Sequence, residues 1–181
     1  MNLTIITWNT RTKDKLTHTA LWDSNAVDVI AIQEPHISTR TSAPACPMLS
    51  NYFMIYGSGK AVLYIHKRHG IGKWSPRSGD HWCSVTFHEE NLAVYSIYNP
   101  NGATTATSPL RHIAAFDPTS RIILAGDFNL HHPMWDHYER TSTYSGDSLD
   151  IAQRLRLGLV APKGECTRFS KDCWNSTIDL I

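Results

Sequence analysis

RIILAGDFNLHHPMW, residues 121–135, is the stretch on which the reading of the fold turns. A mostly apolar run, Arg121 to Ala125, leads through Gly126 into Asp127 and Asn129, with His131, His132 and Trp135 close behind. Short runs rich in β-branched residues and closed by turn residues read as strands. The stretch therefore predicts a buried strand with a polar C-terminal end. Three explanations of that end are open: strand register, a metal site, or a nuclease centre. If the backbone stays extended past the strand, Asp127 and Asn129 project to one face while Phe128 packs on the other. Gly126 suits a place where backbone or ligand comes close.

Other runs finish in the same way. Leu3 to Trp8 leads to Asn9, and Val27 to Gln33 leads to Glu34, with Pro35 closing the strand. Trp82 to His88 and Leu92 to Tyr98 read as a hairpin, after which come Asn99, Pro100 and Asn101. Ser176 to Ile181 is a last strand containing Asp179. Tyr52 to Tyr56 and Ala61 to His66 read as strands joined by a Gly-Ser-Gly turn, and Ile37 to Met48 as a loop. Helices are expected over Lys13 to Asn25, Pro109 to Phe116 and Asp147 to Gly158, the last from the spacing of Leu149, Ala152, Leu155 and Leu157. So many short strands, with helices between some of them, predict an α/β fold with two stacked mixed sheets flanked by helices. If the strand ends converge, carboxylates and amides share one pocket, which is tolerable when a cation lies among them. An all-oxygen set favours magnesium or manganese over zinc.

Composition constrains the rest. A length of 181 residues favours one domain. Hydrophobic content of 41% and charged content of 18% describe a soluble, globular chain. The net charge of +1 neither requires nor excludes a nucleic-acid partner, since a local basic groove suffices. Cys46, Cys83, Cys166 and Cys173 form no Cys-x-x-Cys pair and read as small thiols in a reducing compartment. No signal peptide and no apolar run of membrane length is seen, so an intracellular protein with no membrane partner is expected.

The segments TWN, IQEP, IYNPNG, AGDFNLHHPMW and STIDLI stand in the order used by the endonuclease/exonuclease/phosphatase superfamily. That group includes pancreatic deoxyribonuclease, the apurinic-site endonucleases and the endonuclease domains of non-LTR retrotransposons. WNTRTK and the HHPMW that follows GDFN resemble the retrotransposon domains most. The resemblance spans residues 1–181 as a single domain and implies a four-layer α/β/β/α sandwich of two stacked mixed sheets. It implies a Mg2+-dependent (or Mn2+-dependent) endonuclease acting on DNA as a monomer, nuclear, with a reverse transcriptase domain on the same element.

The same resemblance gives roles to matching positions. Glu34 resembles the principal metal ligand, and Asn9 the residue that supports it. Asp127 resembles the group that orients or deprotonates the attacking water, and Asn129 the donor that holds phosphate or water. Tyr98 resembles the phenol that contacts the scissile phosphate, Asn101 a neighbouring DNA contact, and Asp179 the aspartate that orients a catalytic histidine. His131 and His132 read as a DNA-facing loop, with a solvated loop as the plain alternative. A shared zinc site is disfavoured, because adjacent residues of an extended segment point apart.

In the family that histidine belongs to a late Ser-Asp-His motif, and these residues contain none. The resemblance therefore implies a domain incomplete at its C-terminus, missing its last strands, with impaired nuclease activity. A phosphatase or phosphodiesterase of the same fold acting on a small phosphoester, or an inactive remnant, are the competing expectations. Taken singly, Glu34, Asp127 and Asn129 are turn or capping residues at strand ends; the ordered set argues for chemistry. The six tryptophans read as core or rim packing, Trp135 beneath the HHP loop.

Overall fold

Val29–Gln33, here β2, is buried along its whole length, and its alternate residues feed two different cores. Val29 and Ala31 face inward with Leu63 and Ile65, while Ile30 and Ile32 face the other side with Val62 and Tyr64. This is the two-residue period of a strand in a sheet covered on both faces. The computed structural model describes residues 2–13, 27–44, 51–103, 107–114, 121–136, 141–160, 163 and 179–180. They fall into two compact units, residues 1–98 with 120–126, and residues 99–119 with 127–181.

The first unit holds two sheets. One has the order β1 (Ile5–Asn9), β2, β4 (Ala61–His66), β3 (Tyr52–Tyr56), with β1 and β2 parallel and the other pairs antiparallel. The other runs β5 (Trp74–Gly79), β6 (Trp82–Phe87), β7 (Leu92–Tyr98), β8 (Arg121–Asp127). β5, β6 and β7 are antiparallel. Arg121 donates to the Asn91 carbonyl at one end of β8, and Asn99 donates to the Asp127 carbonyl at the other, so β7 and β8 run parallel. Val29, Ala31, Leu63 and Ile65 from the first sheet meet Cys83, Val85, Phe87, Val94 and Ala125 from the second in one core.

A buried polar link ties the two sheets beside the candidate site. Gln33, with no exposed surface, donates to Ser96 Oγ at 3.0 Å and accepts from Thr7 Oγ1 at 3.2 Å; Ser96 Oγ in turn donates to the Ile32 carbonyl at 3.3 Å. With its bonds made, such a network fixes one packing; half made, it would be costly.

The expected α/β sandwich of two stacked mixed sheets is the observed one. The β3–β4 and β6–β7 pairs lie where the sequence placed them. The strand β5 is the exception, since nothing in WSPRSG reads as a strand. It is an exposed edge strand, carrying Pro76 opposite Val85, and such strands need neither apolar alternation nor a full set of N–H donors. In the second unit, α1 is Leu110–Ala114 and α2 is Ser145–Arg154. The latter begins two residues before the expected start and ends four before Gly158. The strand β9 is Asp179–Leu180. The helix expected over Lys13 to Asn25 lies, apart from Lys13 itself, outside the described residues.

Candidate active site

The register of the first sheet places Glu34. Gln33 pairs with Ala61, so the next residues, Glu34 and Lys60, face each other just beyond the ladder. The Glu34 N–H donates to the Lys60 carbonyl at 2.8 Å. Glu34 adopts a left-handed backbone, φ 48°, where the strand turns off. That conformation is uncommon for a residue with a Cβ and persists where the surroundings determine it. Here its carbonyl accepts from Thr10 Oγ1 at 2.8 Å and from the Thr12 N–H at 2.7 Å. Thr10 is fully buried. Asn9 closes β1 in the same loop, and its Oδ1 accepts from the Arg11 N–H at 2.9 Å.

The Glu34 carboxylate receives the Lys60 ammonium at 2.7 Å. Lys60 Nζ also lies 3.4 Å from Tyr98 Oη and 4.8 Å from the centroid of that ring. Glu34 and Tyr98, both expected site residues, are thus brought together around a lysine. Burial pushes the Tyr98 phenol above its ordinary value, the Glu34 charge adds to this, and Lys60 partly opposes it. The hydrogen bond to Glu34 raises Lys60. The turn that carries Lys60 is pinned: Ser58 donates to the Gly79 carbonyl at 3.3 Å and accepts from the His81 N–H at 3.0 Å. Gly59 has φ 80°, and a Cβ there would strike the His81 ring, so the Gly-Ser-Gly turn is a steric requirement.

The second unit carries the Asp127 group. Asp127 is 3% exposed, and its Oδ1 accepts from the Asn129 N–H at 3.0 Å. Asn129 has φ 48°. The extended continuation expected through Asp127 and Asn129 is therefore not what forms. The strand stops at Asp127 and the chain bends back in an Asx turn, in which an aspartate side chain caps the amide two residues on. The turn aims Asn129 Nδ2 at the Asn99 carbonyl, 2.8 Å away. Asn99 is buried, donates to the Phe128 carbonyl at 2.9 Å and accepts from Ser108 Oγ at 2.9 Å. Asn101 is exposed on the turn that Ala103 closes onto Pro100.

The two histidines of the loop point to different partners, as adjacent residues should. His131 Nδ1 lies 2.6 Å from Asp136 Oδ2, whose side chain is 1% exposed. His132 lies against Trp135, 5.1 Å between ring centroids with the planes tilted by 37°. Trp135 is buried and donates to the Leu130 carbonyl at 2.9 Å. Asp179 begins β9.

Lys60, Asn99 and Asp136 are participants that the sequence did not announce. Lys60 was legible only through the register that sets it opposite Glu34. Asp136 shows as a ligand of His131 only once the turn between them is formed.

Among the described residues no three His, Cys, Asp or Glu side chains cluster as a metal cage. The donor set of the first unit is one carboxylate, Glu34, with the hydroxyl oxygens of Thr10 and Tyr98 nearby. That set suits Mg2+ or Mn2+, which are commonly held by one or two carboxylates together with water and phosphate oxygens, and it does not suit zinc.

Residues 92–181 match the family model described as "Endonuclease-reverse transcriptase". No curated protein sequence matches the chain. Among solved structures, the endonuclease domain of TRAS1, a telomere-specific non-LTR retrotransposon, matches with a TM-score of 0.72 at 14% identity, over 98% of this chain and 82% of that one. An endonuclease/exonuclease/phosphatase family protein from Leptotrichia buccalis matches at 0.57 and 15% identity, over 99% and 86%. The AP endonuclease LMAP from Leishmania major matches at 0.54 and 14% identity, over 84% and 66%. At such identities the likeness is one of fold. The chain thus has the endonuclease/exonuclease/phosphatase fold, and its residues 92–181 match the endonuclease-reverse transcriptase family.

Proposed function

We propose that this chain is a DNA endonuclease of a retrotransposon-derived protein, hydrolysing phosphodiesters with Mg2+ or Mn2+. The observation that carries the reading is Asp127 with Asn129 and Asn99. A buried carboxylate and two buried or half-buried amides are locked together at the end of a strand, inside the segment matched by the family. Asp127 takes a proton from the attacking water, a step worth roughly 10²- to 10⁴-fold in rate. The Asn129 amide and the Tyr98 phenol donate to phosphoryl oxygens as charge builds on them, each worth on the order of a hundredfold. Glu34 would hold the metal and Asn9 would steady that corner of the loop. When bound, the metal supplies charge stabilisation at the phosphoryl oxygens. Asn101, His131 and His132 contact DNA, and Asp179 is read as the aspartate that would orient a histidine.

The match of residues 92–181 to the endonuclease-reverse transcriptase family supports DNA as substrate and a reverse transcriptase as the partner; a monomer acting in the nucleus is part of the same proposal. Within these 181 residues no Ser-Asp-His follows Asp179. A polypeptide of these residues alone is therefore expected to nick slowly. The experiment is relaxation of supercoiled plasmid by that polypeptide and by Asp127→Ala, with and without magnesium. Slow, magnesium-dependent nicking lost in Asp127→Ala is expected. Nicking that persists in the variant, or folded protein that neither nicks nor binds DNA, sinks the assignment; fast nicking sinks only the impairment.

A further inference from the structure

Lys60 has no place in the roles above, yet among the described residues it makes the ion pair that engages Glu34. The pair is built in at three levels. Backbone register sets the two residues opposite each other. The Gly-Ser-Gly turn, pinned on Gly79 and His81, fixes where Lys60 starts. The Tyr98 ring and phenol then receive the ammonium on its other side. A lysine ammonium is a compact point charge with three donors on a flexible stem. Glu34 is 19% exposed at its side chain and Lys60 44%, so the carboxylate is covered and the cation above it can swing into solvent.

We propose that Lys60 is an intramolecular competitor for the metal position on Glu34: a divalent cation binds there only by displacing the ammonium. The inference rests on the reading of Glu34 as the metal ligand. Two cations cannot share one carboxylate at contact distance without strong repulsion. Each binding event therefore includes breaking the Lys60–Glu34 pair, and the released ammonium is left beside Tyr98, free to meet a phosphate oxygen.

The test is Mn2+ binding, followed by loss of the free-ion electron paramagnetic resonance signal at one fixed neutral pH, without substrate. The proteins are the wild type, Lys60→Met, Lys60→Gln, Lys60→Arg, Glu34→Gln and the Lys60→Met/Glu34→Gln double variant, each checked for a cooperative melt. Both neutral substitutions should tighten Mn2+ binding by about threefold to tenfold, the order expected for losing one partly exposed ion pair and its repulsion of the metal. Lys60→Arg should stay within about twofold of wild type, because the competing charge is kept. Glu34→Gln should abolish the site in either background. Binding that depends on Glu34 but is unchanged or weakened by Lys60→Met and Lys60→Gln overturns the role of Lys60 and leaves Glu34 as the ligand. No Glu34-dependent binding in any folded protein overturns the reading of Glu34 itself, and this inference with it.

Discussion

His69 Nε2 lies 2.6 Å from Asp28 Oδ1, and both side chains are almost wholly buried at the start of β2, the opposite end of the strand from Glu34. Arg68 Nη2 reaches the same oxygen at 2.7 Å, and the Thr4 N–H donates to Oδ2 at 2.8 Å. These donors tie the turn after β4 to the entry of β1.

Burial pushes the Asp28 carboxyl up, but the Thr4, His69 and Arg68 donors together outweigh it and hold the group below its ordinary 3.8. A carboxyl lowered in the folded state adds stability that is complete above the unfolded value and is lost as pH falls through the folded one. The contribution of Asp28 should thus be full at neutral pH and disappear in acid, below about 3.8. Asp28→Asn should cost about 2 kcal/mol at neutral pH, the range for a hydrogen-bonded buried charge. The same variant should flatten the acid limb of the profile. Urea midpoints from neutral to strongly acidic pH check both. A variant with the wild-type acid limb would show that other carboxyls govern it.

Gly126 stands on β8 against the backbone of Ile97 on β7. A Cβ there would run into the Ile97 carbonyl oxygen, a backbone atom that cannot rotate away. Gly126→Ala should destabilise the fold by about 1–3 kcal/mol, as overpacking of a filled interior does. It should also shift Asp127, the next residue. Thermal unfolding measures the first effect and plasmid nicking the second. A melting point equal to wild type would mean that the sheet yields at this position.

Much of this was legible because buried strands advertise themselves. Val29–Gln33, Ala61–His66 and Leu92–Tyr98 are runs that only a covered sheet tolerates, and each was read within two residues of its observed ends. Trp74–Gly79 was missed because an edge strand owes nothing to burial; its pairing with β6 is decided across the sheet. The candidate site divides similarly. Glu34, Tyr98 and Asp127 are strand ends, and strand ends can be read from a pattern. Lys60 becomes a partner of Glu34 only through strand register, and Asp136 a partner of His131 only through a turn. Asn129 was expected on an extended backbone, but the Asx turn prevailed because the Asp127 carboxylate can cap the amide two residues on.

That turn makes a separable prediction for Asn129. Its backbone is left-handed, which asparagine tolerates, glycine favours and alanine resists by about 1 kcal/mol. Its side chain donates to Asn99 and, on the proposed reading, to the phosphate or water. Asn129→Gly should keep the turn and hold stability near wild type. Asn129→Ala should lose about 1 kcal/mol in urea unfolding. Both should lose plasmid nicking by on the order of a hundredfold, since both lack the amide. If Asn129→Gly nicks like wild type, the amide serves the turn alone.

The loop after Asn129 carries the last prediction. His131 Nδ1 lies 2.6 Å from the buried Asp136 carboxylate, and the His131 N–H donates to Ser142 Oγ at 2.7 Å. The imidazole, 30% exposed at its side chain, is therefore held in one orientation with its other nitrogen directed away from Asp136. If His131 contacts DNA, Asp136 acts on DNA binding through His131. Residues that act as one unit give non-additive effects. Asp136→Asn and His131→Ala should each weaken binding to a short duplex, by about fivefold to tenfold, and the double variant should be no weaker than the worse single one. Fluorescence anisotropy without added metal measures this apart from cleavage. Independent, additive losses would mean that Asp136 supports binding by another route. Wild-type binding in His131→Ala would return the loop to ordinary surface.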